Sequence, residues 1–211
     1  MKITLFGTGF VGSALARELV EVGHTVTAVA RHPDSLLAPS VSIVAGSVHD
    51  PAVVADTTAG AEVIVSALSP LDDNGGLPAS TSVLAVTADK IGARLGVVGS
   101  SAILPVTPDG PRHADTAGFP DWLADRVTAH QRTLDQLGNT PDTLDWFYLA
   151  APGEFGPHAR GVRTGRYRTS VTAQVSDATG RSRIGVEDYC IAFAGELQVP
   201  TVHRGWLTVG Y

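Results

Sequence analysis

The stretch FGTGFVGS, residues 6–13, places Gly7, Gly9 and Gly12 in a G-x-G-x-x-G pattern. A short apolar run precedes it, and apolar residues spaced three or four positions apart follow it, which is the order strand, turn, helix. In that context the first glycine permits a tight turn, the second lets the backbone approach a pyrophosphate, and the third lets the helix pack closely. Free N–H groups at the helix N-terminus attract the same anion. The stretch therefore predicts dinucleotide binding, the alternative being a glycine-rich turn without a ligand.

Beyond this stretch, the first two-thirds of the chain alternate strand-type and helix-type patterns. The predicted strands are ITLF (3–6), HTVTAVAR (24–31), VSIVAG (41–46), AEVIVSAL (61–68), LGVVGS (95–100) and LDWFYLA (144–150). The predicted helices cover residues 11–22, 34–37, 51–58, 77–94 and 121–137. Continuously apolar strands separated by helices predict a parallel sheet covered on both faces. Right-handed crossovers then favour the strand order 3-2-1-4-5-6, a Rossmann-type, doubly wound α/β fold.

The alternation ends after Pro152. Residues 153–185 are rich in Gly, Arg and Thr. The predicted elements of the tail are a hairpin strand in GRYRTSVTAQV (165–175), a short helix in GVEDYCIAFAGEL (185–197) and a final strand in GWLTVGY (205–211). Since no linker or repeat separates this tail, we predict a single domain over residues 1–211. Residues 153–185 are expected to form a small C-terminal cap region on the substrate side, over the carboxyl ends of the strands.

Composition limits the partners of the chain. Its 211 residues are 44% hydrophobic, with no apolar run of the 18 to 20 residues that a membrane span requires. A formal net charge of −6 argues against nucleic acid and against an anionic membrane, so a small molecule is the expected partner, with a homodimer left open. The N-terminus lacks a signal-like segment and Cys190 is the single cysteine, which predicts a cytoplasmic protein with a reduced, packed thiol.

The end of the second predicted strand bears on which dinucleotide is bound. Rossmann proteins that bind NADH usually carry an acidic residue there, about 20 residues after the glycine loop, to accept hydrogen bonds from the ribose. Here AVARHP (28–33) offers Arg31 and His32 and no carboxylate. A guanidinium suits a 2′-phosphate, so the sequence predicts NADP(H) over NAD(H). The alternative is that Arg31 is a solvated loop residue.

The ordered motifs GTGFVG, VTAVARHP, G-S-V-x-D, VIVSALSP, VVGSSA, LDWFYLAAPGEFGP, RTGRYR and SRIGVEDY resemble a known group. They are similar to the atypical short-chain dehydrogenases grouped as NAD(P)H-binding, NmrA-like or NADH-flavin reductase-like proteins, with biliverdin reductase B as a distant relative. The resemblance covers nearly the whole chain. It implies a Rossmann fold, an NADP cofactor across the strand ends and, in some members, reduction of flavins or quinone-like compounds.

The resemblance also implies positions for the cofactor. The implied contacts are Gly7, Thr8, Gly9, Phe10, Val11 and Gly12 at the pyrophosphate, Arg31 at the 2′-phosphate, Ser47 and Val48 at the adenine, Ser66, Ala67 and Leu68 at the ribose, and Ser100, Ser101 and Ala102 near the nicotinamide. Pro152 is also predicted to contact the cofactor. Two positions depart from the family pattern. Phe6 stands where the first family glycine is common, and Ser47 stands where an aspartate is common.

The sequence lacks the acid–base pair of alcohol and ketone reductases. Those enzymes use Tyr-x-x-x-Lys, in which the ammonium lowers the pKa of the tyrosine. None of the tyrosines, Tyr148, Tyr167, Tyr189 and Tyr211, is followed by a lysine four residues later.

Three weaker candidates for catalysis remain. Ser101 ends a strand and is a candidate to hydrogen-bond a substrate or the nicotinamide amide, or else it caps a turn. His130 completes an apolar helix stripe, which fits either proton transfer or a hydrogen-bonded core residue. Tyr167 is a candidate to stack on a flat acceptor or to pack in a hairpin. No metal site is expected, and Asp72 and Asp73, in a glycine-rich loop, are too generic to indicate one.

Three functional hypotheses follow from these residues. The first is a reductase that passes a hydride from NADPH to a flat acceptor such as a flavin or quinone, because this transfer needs little beyond two rings held face to face. The second is a non-catalytic, NmrA-type sensor of NADP(H). The third is a reductase of a dedicated pathway metabolite.

Overall fold

The structure is a computed structural model that describes residues 1–33 and 39–211, so the helix predicted at 34–37 lies outside the described residues. The strands are β1 (Lys2–Phe6), β2 (Thr25–Ala30), β3 (Ser42–Ala45), β4 (Val63–Ser66), β5 (Arg94–Ser100), β6 (Trp146–Ala151), β7 (Arg168–Ser170) and β8 (Gly205–Gly210). The α-helices are α1 (Phe10–Glu21), α2 (Pro51–Thr58), α3 (Gly76–Ile91), α4 (Ala124–Gly138) and α5 (Val186–Gln198).

The strands form one sheet in the order β3-β2-β1-β4-β5-β6-β8-β7, counted over the described residues. The first six strands are parallel and confirm the predicted Rossmann order. The chain then extends this sheet: β8 adds parallel to β6, and β7 adds antiparallel to β8 at the outer edge. Because β1 lies between β2 and β4, the direction of winding reverses beside the carboxyl end of β1, which is where such sheets bind ligands.

Apolar cores lie on both faces of the sheet. On one face α1 packs against α5, around fully buried side chains such as Leu15 and Phe193. On the other face α3 packs against α4, around Leu84 and Leu137. The central strands β1, β4 and β6 are buried on both sides, as their continuous apolar sequences predicted, whereas β3, at the edge of the sheet, is mostly exposed. In the described part of the chain, no helix combines the length and apolar character needed to cross a bilayer.

Local signals set most helix boundaries. Asp50 caps α2, since its carboxylate accepts the N–H of Ala52 at 2.9 Å, and Pro51 occupies the first helical position. Helix α3 ends at Ile91, three residues before its predicted end at Arg94, because Gly92 adopts φ +68° and stops the helix. The prediction was wrong there, and Arg94 instead begins β5.

The segment 153–185 is divided between the sheet and the strand ends. Its strand β7 pairs with β8, for example Thr169 with Val209. Further along, the backbone N–H of Gln174 donates to Pro105 O at 2.8 Å, and its side-chain amide donates to Ser101 O at 3.2 Å. Part of the segment therefore covers the carboxyl end of β5.

A buried arginine ties the opposite, amino edge of the sheet together. Arg94 begins β5, and its side chain is 10% exposed. The guanidinium donates to the Glu196 carboxylate at 2.8 Å, to Glu196 O at 2.6 Å and to Val202 O at 2.6 Å. Since Glu196 is itself nearly buried, the pair fastens the end of α5 and the entry to β8 onto β5.

We expect Arg94→Ala to lower the free energy of unfolding by about 3 kcal/mol or more, because it leaves a buried carboxylate without its charged partner. Arg112→Ala is the control, since Arg112 pairs with Asp115 at the surface and should cost less than about 1 kcal/mol. Urea denaturation of both variants measures the difference. Equal losses would show that the Arg94 network contributes no more than a surface pair.

Candidate functional site

A cavity of about 340 Å³ opens at the carboxyl ends of β1, β2, β3 and β4. Its lining comes from the glycine loop (Phe6–Gly9), the end of β2 (Val29–His32), the turn after β3 (Gly46–His49) and the loop after β4 (Ala67–Ser69, Asp72 and Asn74). Four separate segments thus meet at the point where the sheet reverses its winding. This is the expected position for a bound nucleotide.

The cavity brings together many of the predicted cofactor residues. Those that line it are Gly7, Thr8, Gly9, Arg31, Ser47, Val48, Ala67 and Leu68. Phe10, Val11 and Gly12 form the first turn of α1, directly after the lining residue Gly9. Among the others, Ser66, Ser100 and Pro152 lie at the carboxyl ends of β4, β5 and β6, where a dinucleotide would extend from the cavity.

The three glycines play different structural roles. Gly7 has φ +99°, and a Cβ there would lie 2.4 Å from Ala67 O. A Cβ on Gly12 would lie 1.9 Å from Gly7 O, so the helix can approach the turn only with glycine. Gly9 has φ −73° and open space around its Cβ position. The loop is therefore a cradle whose open side is at Gly9.

The N-terminus of α1 fits an anion in this cradle. Gly9 is its N-cap and supplies no side-chain hydrogen bond, so the N–H groups of the first turn have no partner within the helix. These donors and the helix dipole suit a pyrophosphate. The residues present thus fit the diphosphate of a dinucleotide.

We expect Gly9→Ala to fold like the unmodified protein, because its φ suits alanine and its Cβ meets nothing within 4 Å. Dinucleotide binding should nevertheless weaken by about tenfold or more, since the methyl group enters the space of the phosphates. Calorimetric titration with NADPH, alongside thermal unfolding, measures both effects.

Gly138→Ala is a suitable control, since Gly138 also has open space around its Cβ position but lies at the end of α4, outside the cavity. If the Gly9→Ala variant binds NADPH as tightly as the unmodified protein, the glycine loop does not hold the phosphates.

Arg31, at the end of the cavity near β2, faces a carboxylate that the sequence analysis set aside. Its guanidinium lies 4.0 Å from Oδ2 of Asp72, and the side chain of Arg31 is 56% exposed. Burial alone would raise the pKa of Asp72, but N–H groups of Gly76 and Asn74 and the charge of Arg31 outweigh it and lower that pKa. The cavity thus holds an arginine and an ionised aspartate side by side.

Polar atoms without partners lie at the carboxyl end of β5. Ser101 is 1% exposed, and its hydroxyl has no hydrogen-bond partner among the described residues. Nδ1 of His113 is likewise buried and unpartnered within the same ranges. The backbone of Leu104 joins the two, since its N–H donates to Ser101 O and its carbonyl accepts from His113 N. Because ligands bind at the carboxyl ends of strands in such sheets, these two groups are candidates to hydrogen-bond a substrate.

His113 has no motif around it, and the sequence analysis missed it. Its ring stands edge-on to Phe119, with 5.2 Å between centroids. The ring also approaches the chain just after Pro152, where a Cβ on Gly153 would lie 2.8 Å from Cε1. Burial lowers the pKa of His113, which keeps the imidazole neutral at physiological pH.

His130 and Tyr148 form a closed pair beneath this position. The Tyr148 hydroxyl accepts the N–H of Ser100 at 2.8 Å and shares a hydrogen bond of 2.9 Å with Nδ1 of His130. Burial raises the pKa of Tyr148, while burial and the nearby charge of Arg126 lower the pKa of His130 to about 4. Neither group therefore has a pKa that would allow it to exchange protons near neutral pH.

Tyr167 lies directly before β7, at the outer edge of the sheet. Because Arg168 pairs with Gly210, the last residue of β8, this end of β7 lies beside the carboxyl end of β8. The hydroxyl of Tyr167 is 3.3 Å from the position of a Cβ on Gly195 in α5, and the side chain packs against the core on that face of the sheet. The stacking role of Tyr167 stays a prediction.

The His130–Tyr148 pair predicts a pH dependence of stability. Because the folded pKa of His130 lies below its ordinary value of 6.5, the unfolded chain binds a proton first as the pH falls. The contribution of His130 to the free energy of unfolding should therefore decrease between pH 6.5 and about 4, by about 1 kcal/mol per pH unit, and stay constant below that range. His130→Asn should remove this component in denaturation measured across the range. Parallel curves for both proteins would contradict it.

The sheet order and the glycine-lined cavity at its reversal point define a Rossmann-type dinucleotide-binding protein. The profile of the NAD(P)H-binding family matches residues 7–196. The chain belongs to this family, in agreement with the resemblance seen in its motifs.

Several known proteins are similar to nearly the whole chain. The uncharacterized protein YwnB of Bacillus subtilis (strain 168) is 28% identical over 204 residues, 95% of this chain and 93% of that protein. A crystal structure described as a "putative exported protein" from Burkholderia pseudomallei is 34% identical, with a TM-score of 0.88 and complete coverage of both chains. The structure of a "putative NADH-flavin reductase" from Streptococcus pneumoniae TIGR4 is 24% identical, has a TM-score of 0.87, and covers 100% of this chain and 99% of that one.

Proposed function

We propose that this chain is an NADPH-dependent oxidoreductase that passes a hydride to a flat acceptor such as a flavin or a quinone. The observation that carries the proposal is one cavity with an open glycine cradle at Gly9 and a guanidinium at Arg31. These two groups match the two phosphate positions of NADPH. Bound NADPH would supply the hydride, so the protein needs only to orient the two rings and exclude water.

The chain's own residues divide the binding between them. The first turn of α1 would hold the pyrophosphate and Arg31 the 2′-phosphate. Ser47 and Val48 would contact the adenine, and Ala67 and Leu68 the ribose, since all four line the cavity. The nicotinamide would then extend toward Ser100 at the end of β5.

The acceptor would lie against Ser101 and His113. The Ser101 hydroxyl and the neutral imidazole of His113 are buried polar groups without partners in the described ranges, and each can hydrogen-bond a carbonyl oxygen or ring nitrogen. Reduction of a flavin or quinone takes up one hydride and one proton. Such an acceptor does not need the strong acid that a simple ketone needs, which fits a site where Tyr148 is held by His130.

The same closed pair favours a second candidate, a non-catalytic sensor of NADP(H). A protein that only binds the cofactor needs no proton donor whose pKa lies near neutral pH. The pKa of Tyr148 is raised and that of His130 is lowered, so neither is such a donor. The third candidate function is reduction of a dedicated pathway metabolite.

We also propose a cytoplasmic location, since the expected partner is a small molecule and Cys190 is buried as a free thiol.

The test is oxidation of NADPH, followed as loss of the reduced-nicotinamide absorbance, with FMN, riboflavin and a quinone offered in turn. We expect turnover with at least one of them. Ser101→Ala and His113→Phe should each lower kcat/KM by about tenfold or more while NADPH binding changes by less than about twofold, because they remove hydrogen bonds to the acceptor alone.

Tyr167→Phe serves as the matched control and should leave turnover unchanged, since that hydroxyl lies against α5. Tight NADPH binding without oxidation of any acceptor would favour the sensor. Failure to bind either nicotinamide nucleotide would overturn the proposal.

A further inference from the structure

The end of the cavity beside Arg31, where the 2′-phosphate of NADPH would lie, also contains a carboxylate. This carboxylate does not come from the end of β2. Asp72 comes from the loop between β4 and α3, far from Arg31 in sequence, yet both side chains line the cavity. The Asp72 side chain is 20% exposed, and its Oδ2 lies 4.0 Å from the Arg31 guanidinium. A carboxylate at this end of the site is what NADH-binding Rossmann proteins use to accept ribose hydroxyls.

We propose that Asp72 is a second determinant of cofactor choice, which opposes the 2′-phosphate of NADPH and accepts a ribose hydroxyl of NADH. This inference rests on the proposed function. The Arg31–Asp72 pair would then distinguish the two nucleotides by opposite interactions at one position, attraction of the phosphate by Arg31 and repulsion by Asp72. The protein is expected to bind both nucleotides, with a narrow preference for NADPH.

The position of Asp72 is fixed by its own loop. Its Oδ1 accepts the N–H groups of Asn74 and Gly76, both at 2.8 Å. Gly76 has φ +63°, and a Cβ there would lie 2.2 Å from Pro70 O, so the loop is tightly closed. Since Oδ1 is occupied by these two bonds, Oδ2 remains toward the cavity, and the carboxylate cannot turn away without breaking the start of α3.

Arg31 is held less firmly than its partner. It is more than half exposed, and at 4.0 Å the pair is at the outer limit of an ion pair. A 2′-phosphate can therefore draw the guanidinium toward itself at little cost, while the charge of Asp72 stays in place. The imidazoles of His32 and His49 line the same end of the cavity and add further hydrogen-bonding groups for a phosphate.

The variant Asp72→Asn tests the inference, because the amide keeps an oxygen for Asn74 and Gly76 and removes only the charge. Calorimetric titration at low salt should show NADPH binding about fivefold tighter and NADH binding about threefold weaker, a change of about fifteenfold in the ratio of the two affinities. At high salt the NADPH effect should decrease, because the interaction between the two anions is screened.

Asp73→Asn is the matched control, since it removes the same charge one position away from an exposed side chain that is not among the cavity-lining residues. Its ratio of affinities should stay within about twofold of the unmodified protein. Titration with 2′-AMP and 5′-AMP should reproduce the difference, which assigns it to the 2′ position without any turnover.

The outcomes separate the two proposals. A ratio that shifts in Asp72→Asn and not in Asp73→Asn supports the role of Asp72. If the unmodified protein binds both nucleotides and the Asp72 variant shows the same ratio, the inference is overturned and the proposed function stands. If the unmodified protein binds neither, both are overturned.

Discussion

The close approach of α1 to the turn that precedes it underlies the rest of the site. Gly12 faces Gly7 O at a distance that no Cβ could occupy, and Gly7 in turn faces Ala67 O across the carboxyl ends of β1 and β4. These contacts bring a helix N-terminus and two strand ends to one point. The open space at Gly9 exists only because its two neighbours in the motif allow the backbone to pack this tightly.

The cavity distinguishes the carboxyl edge of the sheet from the amino edge. At the amino edge, the buried guanidinium of Arg94 pairs with Glu196 and joins separate elements. At the carboxyl edge, four segments line a cavity that contains charged side chains. Buried polar atoms without partners in the described ranges are not confined to one edge, since Nε1 of Trp146, at the start of β6, is one of them as well as the Ser101 hydroxyl. The cavity therefore marks the ligand-binding edge, where the carboxyl ends of the parallel strands meet.

The electrostatic balance of the cavity depends on residues distant in the chain. In the sequence, Arg31 predicted a bound 2′-phosphate, because the end of β2 carries no carboxylate. The structure adds Asp72 from the loop after β4. In the same way, His130 was one residue of an apolar stripe in the sequence. The structure buries it beside the Tyr148 hydroxyl from β6, and this burial, with the charge of Arg126, lowers the pKa of His130.

The sequence by itself determined the order of the first six strands and the position of the glycine loop, because local spacing encodes them, and the family resemblance added Ser47, Val48, Ala67 and Leu68 to the predicted lining of the cavity. Apolar runs and glycines determine secondary structure within a few residues, and right-handed crossovers leave few possible orders for parallel strands in a sheet. Only the tertiary structure decided that Asp72 faces Arg31, that the backbone of Leu104 links Ser101 to His113, and that the hydroxyl of Tyr167 lies against α5. These contacts link segments whose spacing along the chain carries no periodic signal. They arise only when separate loops are brought to the same end of the sheet.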